Sequence, residues 1–467
     1  MKRRSKALVW ILGLSLLAIQ LRAQQSDTTQ PKKFELTVKE AVELAFKNVM
    51  ELRNANLDYK MQEAKNREIF GQALPQLSGA VSTNYYLQTP KFLFPQSEEG
   101  IYEVLRREGL LPSSAHAPPP SLVEFSFQQP WNLSMGATVT QLLFQPDVFV
   151  GLQARQSALD YNQGLIDQAK RRIRDSAYKR YYAILIAQKQ LHFISESVNR
   201  LEKLYHDDSI MFKSGFAERL DLDKVQVQLN NLKTTRSVVE TGLNLAYAGL
   251  KYSIGISQRD TVVLKEELTT ERVKQDVMDD SFKYEDRPEI RTLNVLQSLQ
   301  ELDVKRYKLG GFPTVALAGN YTVNGMGQNF FTDKSTTWFK SSYVGMNIDV
   351  PIFTGLQRKY KVRQAQLDLE KVTNNIVNVK QAIDLEQTVA KEVLANALVN
   401  LDLQERNLAL AERVYNATKA KFEQGVGSSF EVLQADTDYQ TAYTNYFNAL
   451  YQATIAKISY ISSLGKL

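Results

Sequence analysis

The most constraining feature of this sequence is a long heptad pattern. In the second half of the chain Leu369, Val372, Ile376, Val379 and Ile383 follow one another at steps of 3, 4, 3 and 4, and Leu394, Leu398, Leu401, Leu408, Tyr415 and Phe422 prolong the same seam. Apolar residues at that spacing specify helices that pack as a coiled coil. The run from Gln357 to Gln424 covers about 68 residues, so at about 1.5 Å per residue the helix extends about 100 Å. A rod of that length does not fit a compact domain and needs partner rods beside it. A shorter return helix is expected from Ser428 to Ser463. A matching pair is expected in the first half, from Leu152 to Lys213 and from Ala217 to Ser253.

The two halves repeat each other, and the order of the matches is kept. Glu51-Leu52-Arg53 corresponds to Glu289-Ile290-Arg291, and Leu74-Pro75-Gln76-Leu77 to Phe312-Pro313-Thr314-Val315. Leu143-Phe144 corresponds to Ile352-Phe353, Gly151-Leu152-Gln153 to Gly355-Leu356-Gln357, and Phe212-x-x-Gly215 to Phe422-x-x-Gly425. The expected organisation is therefore a leader over 1–23, a first repeat over 24–255, an equatorial linker over 256–285 and a second repeat over 286–467. Each repeat reads as helix, strand, loop, strand, long helix, glycine break and return helix. At each break a glycine reverses the chain at a positive φ.

The strands have the opposite period. Trp131, Leu133, Met135, Ala137, Val139 and Leu143 are apolar or small and alternate with the small or polar Asn132, Ser134, Gly136, Thr138 and Thr140; Leu77, Val81 and Tyr85 alternate with Ser78, Ser82 and Asn84 in the same way. The four strands are expected at about 76–87, 131–143, 314–323 and 342–352. Each is about ten residues, which is the length a tilted strand needs to cross a bilayer. Aromatic residues gather at their ends (Tyr85, Tyr86, Phe92, Phe94, Trp131, Tyr321, Trp338, Phe339, Tyr343), as at a membrane interface. A soluble β-sandwich with one wet face would explain the alternation alone, but not the aromatic ends and the rods together. Four strands cannot close a transmembrane barrel, and open edges in lipid cost several kcal/mol per unpaired backbone group. Two chains sharing a barrel would supply eight strands, and three would supply twelve.

Other features remove whole classes of chemistry. There is no cysteine, so disulfides, thiolate metal sites and cysteine nucleophiles are excluded. The histidines are His116, His192 and His206, with no His-x-x-x-His pair. Gly325-x-Gly327 lacks the third glycine of a phosphate loop, the Asp207-Asp208 and Asp279-Asp280 pairs read as solvated, and no cofactor is expected. The formal charge of +6 falls to +1 once Lys2, Arg3, Arg4, Lys6 and Arg22 are set aside, so nothing points to nucleic acid. Those cations precede a run of about 13 mostly apolar residues, Ala7 to Ile19, which is too short to span a membrane. The pattern reads as a secretory signal cut after Ala23.

Together the leader, the two repeats, the strand pairs before long helices and the Phe-x-x-Gly breaks resemble the outer-membrane efflux proteins, the TolC-like channels. The blocks that carry the likeness are Phe212-Lys213-Ser214-Gly215-Phe216, Phe422-Glu423-Gln424-Gly425-Val426 and Arg287-Pro288-Glu289-Ile290. The resemblance implies an α+β membrane protein in the outer membrane of a Gram-negative bacterium, a homotrimer with a shared twelve-stranded barrel in lipid and a helical tunnel reaching into the periplasm. It would be a channel and not an enzyme, the exit duct for an inner-membrane transporter and a periplasmic adaptor (membrane fusion) protein. The adaptor would dock on the turns holding Phe212, Gly215, Phe216, Gly425 and Val426. The periplasmic gate would involve Glu431, Gln434, Asp221 and Phe422. Of the two acids of the family's constriction Glu431 is kept and Gln434 replaces the other. In the family a Tyr and an Arg of the second turn latch onto an Asp after the first. Asp221 matches that Asp, but Phe422 and Gly427 stand at the other two positions, so a different closing contact is expected. The segment from Gln88 to Pro130 reads as an outer loop able to lid the barrel. The competing reading from another class is an extracytoplasmic coiled-coil scaffold or adaptor with a β-domain and no pore.

Overall fold

The computed structural model describes residues 31–275, 281–329 and 336–467. The leader expected over 1–23 and the Asp279-Asp280 pair lie outside the described residues. In chain order the elements are β1 (Lys33–Leu36), α1 (Val38–Asn48), α2 (Met50–Gln72), β2 (Gln76–Tyr85), β3 (Phe92–Gln96), α3 (Glu99–Arg107), β4 (Ser121–Phe125), β5 (Trp131–Phe144), α4 (Pro146–Lys213), α5 (Arg219–Ser253), β6 (Thr261–Leu264), α6 (Thr270–Lys274), a 3-10 turn (Tyr284–Asp286), α7 (Pro288–Leu309), β7 (Thr314–Gly327), β8 (Thr337–Asp349), α8 (Gln357–Glu423) and α9 (Ser429–Ser463). Among the described residues no helix is long and apolar enough to cross a membrane.

The chain divides into two units. One comprises Tyr59–Tyr161 and Leu293–Asn375. Its centre is a four-stranded antiparallel sheet in the order β2-β5-β7-β8, with β2 and β8 as open edges. The register puts Tyr85 opposite Trp131, Thr138 opposite Asn320 and Gly325 opposite Trp338. The Trp338 ring lies on Gly325, where a Cβ would come within 2.9 Å of it. On one face the polar side chains bond to each other: Asn320 Nδ2 donates to Thr138 Oγ1 at 2.9 Å and Thr322 Oγ1 to Asn320 Oδ1 at 2.6 Å. On the other face Met135, Val139, Leu317 and Tyr321 are exposed. A sheet that satisfies its polar face and exposes its apolar one is built for a non-aqueous surround.

Three sequence expectations need correction in this unit. β8 spans Thr337–Asp349, so it begins earlier than expected and stops before Pro351; β7 runs on to Gly327. Trp338 and Phe339 thus lie inside a strand. The segment from Gln88 to Pro130 is not a plain loop. β3 and β4 pair as an antiparallel hairpin, α3 lies between them, and Phe92, Phe94, Phe125 and Phe127 cluster on the hairpin with ring centroids 4.6 to 6.4 Å apart. Pro95 is accommodated because this two-stranded ribbon has free edges. Finally, the long helix of the first repeat starts at Pro146 rather than Leu152. Proline suits a first helical position because its missing N–H would have had no partner there.

The other unit holds the residues up to Asp58, Asn162–Thr292 and Ile376–Leu467. Here the heptad seam becomes a core. Val198, Leu201 and Leu204 of α4 pack with Val225, Leu229 and Leu232 of α5, Tyr415 of α8, and Val432, Leu433 and Ala435 of α9. Ile376, Ile383, Leu394 and Leu401 of α8 are buried farther along. The segment 256–285 carries structure of its own. β6 pairs in parallel with β1, and Tyr181 on α4 donates its hydroxyl to Leu36 O at 2.9 Å. Adjacent arginines of α4 serve the two equivalent glutamates of the repeats. Arg172 bonds Glu51 at 2.6 Å, while Arg171 bonds Glu289 and lies 3.3 Å from Glu386. Arg287, almost fully buried, completes this network through Glu289 and Glu386.

Candidate functional site

The helix-to-helix turns at the ends of α4 and α8 are built the same way. Gly215 and Gly425 sit at φ +79° and +74°. In the first turn Gly215 N–H donates to Phe212 O at 3.0 Å and Phe216 N–H to Met211 O at 2.8 Å; in the second, Gly425 N–H donates to Phe422 O at 2.9 Å and Val426 N–H to Lys421 O at 3.1 Å. This pairing satisfies the last carbonyls of a helix and requires a left-handed residue, which glycine adopts without strain. The next residue is then thrown outward: Phe216 is 87% exposed and Val426 80%. Phe212 is half-buried, with the Arg219 guanidinium 5.9 Å from its ring.

Of the expected gate residues, Asp221, Glu431 and Gln434 lie just beyond these turns and Phe422 just before the second; among the described residues no side-chain hydrogen bond or ion pair joins them. Ser428 caps α9, its Oγ accepting the Glu431 N–H at 3.2 Å, and the Glu431 carboxylate is exposed. Gln434 is exposed and donates to Asp438 Oδ1 at 3.0 Å. Asp221 pairs with Lys224 on its own helix at 3.2 Å. Phe422 packs against the four-helix core. On α9 the exposed polar series continues through Asp438, Thr441, Asn445, Asn448 and Gln452, at heptad spacing from Glu431 and Gln434. This helix therefore carries an apolar seam on one side and a wet, wholly polar stripe on another.

Two further helix faces are apolar and uncovered. On α8, Leu385, Val389, Val393, Val399, Leu403 and Leu410 are exposed; on α5, Leu220, Val227, Val238, Leu245 and Tyr252 are. Soluble monomers rarely leave so many large apolar side chains open along one side of a helix.

Behind the polar stripe are charged groups that sequence reading missed. Arg200 on α4 donates from Nε to Asp436 Oδ1 on α9 at 3.0 Å and from Nη2 to Ser197 Oγ at 2.6 Å. Its guanidinium lies 5.3, 5.4 and 5.5 Å from the rings of Phe193, Tyr415 and Tyr439. The Asp436 side chain is 2% exposed and that of Arg200 23%. Burial pushes the Asp436 carboxyl above its ordinary range, although Arg200 and the Gln440 amide pull it back. The legible signal was Asp436 itself, an acid one turn from Val432 and Leu433 on the seam side of α9.

Asp208 overturns the reading of Asp207-Asp208 as a solvated pair. It is completely buried, and neither carboxylate oxygen has a hydrogen-bond partner. The Ser429 hydroxyl of α9 stands beside it, short of a bond of normal geometry. Desolvation drives its pKa up, with Ser429 opposing and the nearby Asp221 and Asp207 carboxylates adding to the rise. Asp208 sits one helical turn before Phe212, on the face of α4 that meets α9, and local polarity hides that placement. Among the described residues no group of histidine, aspartate or glutamate side chains is arranged to hold a metal ion.

The sequence model of the outer membrane efflux protein family matches residues 286–466. Outer membrane protein TolC of Vibrio cholerae serotype O1 is 24% identical over 357 residues, covering 72% of this chain and 77% of that protein. Among solved structures, CusC superposes with a TM-score of 0.69 at 16% identity, over 94% of this chain and 95% of that one. The CmeC outer membrane channel of Campylobacter jejuni gives a TM-score of 0.66 at 16% identity, over 92% and 85%. The family match over residues 286–466, the sequence relative and the whole-chain fold all point the same way: the second half of the chain is similar to the outer membrane efflux proteins, and the whole chain has the fold of the TolC-like channels.

Proposed function

We propose that three copies of this chain form the exit duct of a multicomponent exporter, with a twelve-stranded barrel in the outer membrane and a helical tunnel in the periplasm. The observation that carries this reading is the division of labour among the helix faces. The apolar stripes of α8 and α5 have no cover among the described residues, whereas the α9 stripe from Glu431 to Gln452 is polar throughout. Neighbouring copies would cover the apolar stripes, and the polar stripe would line an aqueous lumen. The sheet supports the same assembly. β2 and β8 run in opposite directions at its two edges, so β8 of one copy can pair antiparallel with β2 of the next, removing every open edge from lipid.

Within that assembly Glu431 and Gln434 form the narrow periplasmic gate. Asp221 and Phe422 pack behind it. The turns around Phe212, Gly215, Phe216, Gly425 and Val426 receive a periplasmic adaptor (membrane fusion) protein, with the exposed Phe216 and Val426 as its apolar contacts. An inner-membrane transporter supplies the energy, and the chain performs no catalysis.

The test is assembly with conductance. Protein extracted in mild detergent should run at three times the mass of one chain and open pores in a planar bilayer. Val227→Glu or Leu403→Glu should break the assembly without unfolding the helices. A monodisperse monomer, or an oligomer without conductance, would overturn the duct and favour a poreless scaffold.

A further inference from the structure

Immediately after β8 the chain forms a surface hollow of about 470 Å³. One part of its lining is apolar, chiefly Ile352, Phe353 and Leu356; the other is cationic, from Arg358, Lys359 and Arg363. Ile352 and Phe353 are 94% and 80% exposed. Lys361 adds a fourth cation, and no acid occurs between Pro351 and Asp368. Among the described residues none of these four cations makes an ion pair.

The charge is in the wrong place for the helix that bears it. α8 starts at Gln357 with no acid in its first turn. Cations at a helix start oppose its dipole, so they do not serve the helix. The internal repeat provides the comparison. There α4 opens with Asp147, has no lysine or arginine before Arg155, and turns Phe144 onto Phe149 with centroids 5.4 Å apart. Among the described residues the equivalent Ile352-Phe353 has no aromatic partner, and both side chains are exposed. The bend shaping the hollow also holds Leu356 at φ +64°, a strained position for a residue with a side chain. Local rules broken together at one spot indicate a demand from outside the chain.

We propose that this hollow binds an anionic phospholipid of the leaflet facing the periplasm, with the cations on the headgroup and Ile352, Phe353 and Leu356 against the acyl chains. Position and chemistry agree: the hollow continues directly from a membrane strand on its helix side, and its two-part lining matches an amphiphile with a negative head. The inference rests on the outer-membrane location and not on the trimer or its gate.

Native mass spectrometry of the full-length, delipidated protein in detergent tests it, with phosphatidylglycerol and phosphatidylcholine as probes. Phosphatidylglycerol should bind more tightly, and its affinity should fall as salt rises from about 0.05 to about 0.5 M. Lys359→Gln combined with Arg363→Gln, both at exposed positions, should weaken phosphatidylglycerol binding about thirty-fold at low salt. Phe353→Ser should weaken both lipids. Equal, salt-independent binding of the two lipids overturns the proposal, and needs no variant. So does a double variant that binds phosphatidylglycerol as the native protein does, including one that loses its oligomer, because the patch would then be a contact between copies.

Discussion

The Arg200–Asp436 pair joins α4 to α9 across 236 residues of sequence, and its two halves should not be equally costly to remove. Arg200→Ala leaves the Asp436 carboxyl, 2% exposed, without its counter-charge. Breaking a buried pair in this way costs about 3–5 kcal/mol. Asp436→Asn is gentler. Arg200 keeps the Ser197 hydroxyl and three aromatic faces and is 23% exposed to water, so about 1–2 kcal/mol is expected. The pH dependence follows from the direction of the Asp436 shift. A carboxyl whose folded pKa lies above its ordinary value of 3.8 favours the folded state at low pH and loses that contribution as pH rises through the folded value. Removing Arg200 takes away the main group opposing this rise. The deficit of Arg200→Ala should therefore be small near pH 4 and full at neutral pH. Denaturant unfolding of the detergent-solubilised protein, followed by helical circular dichroism at both pH values, measures it. Planar-bilayer leak should rise in the same order as the unfolding cost. If Asp436→Asn costs as much as Arg200→Ala, or if the Arg200→Ala deficit is the same at both pH values, the pair is not a buried clamp.

Asp208→Asn should gain stability relative to the native protein as pH rises above about 4, because the burial-raised carboxyl weakens the native fold over that range and the amide cannot ionise; proteolysis at the exposed Lys213 and Arg219, compared across pH, reports it. Gly215→Ala and Gly425→Ala meet open space, so each should cost only the strain of a left-handed residue, about 1–2 kcal/mol. Their melting curves should shift modestly, and loss of folding would show that the turns are packed against something. Glu431→Gln should weaken cation selectivity and block by multivalent cations added from the periplasmic side; unchanged recordings at low salt would remove Glu431 from the gate. Deletion of residues 95–119 takes out α3 and the end of β3, so the trimer should survive while the Phe92–Phe127 cluster opens, which detergent gel filtration and protease sensitivity would register.

What the sequence determined by itself was periodic or local. A seam of heptad positions makes a rod whatever lies elsewhere, and Ile376, Ile383, Leu394, Leu401 and Tyr415 are buried along it. Alternation over ten residues makes a strand with one apolar face, and a glycine three residues after Phe212 or Phe422 reverses the chain because it adopts positive φ without strain. Tertiary structure decided whatever depends on a neighbour distant in the chain. The parallel pairing of β1 with β6 and the hairpin of β3 with β4 have no short-range signal, since each strand is four or five residues long. Asp207 and Asp208 are adjacent and chemically identical, yet only Asp208 is fully buried, because α9 lies against that side of α4. Arg200 was one more cation on a long helix until Phe193, Tyr415, Tyr439 and Asp436 closed around it. Burial of a charge is a property of the helices packed upon it, and a sequence read along one helix does not contain them.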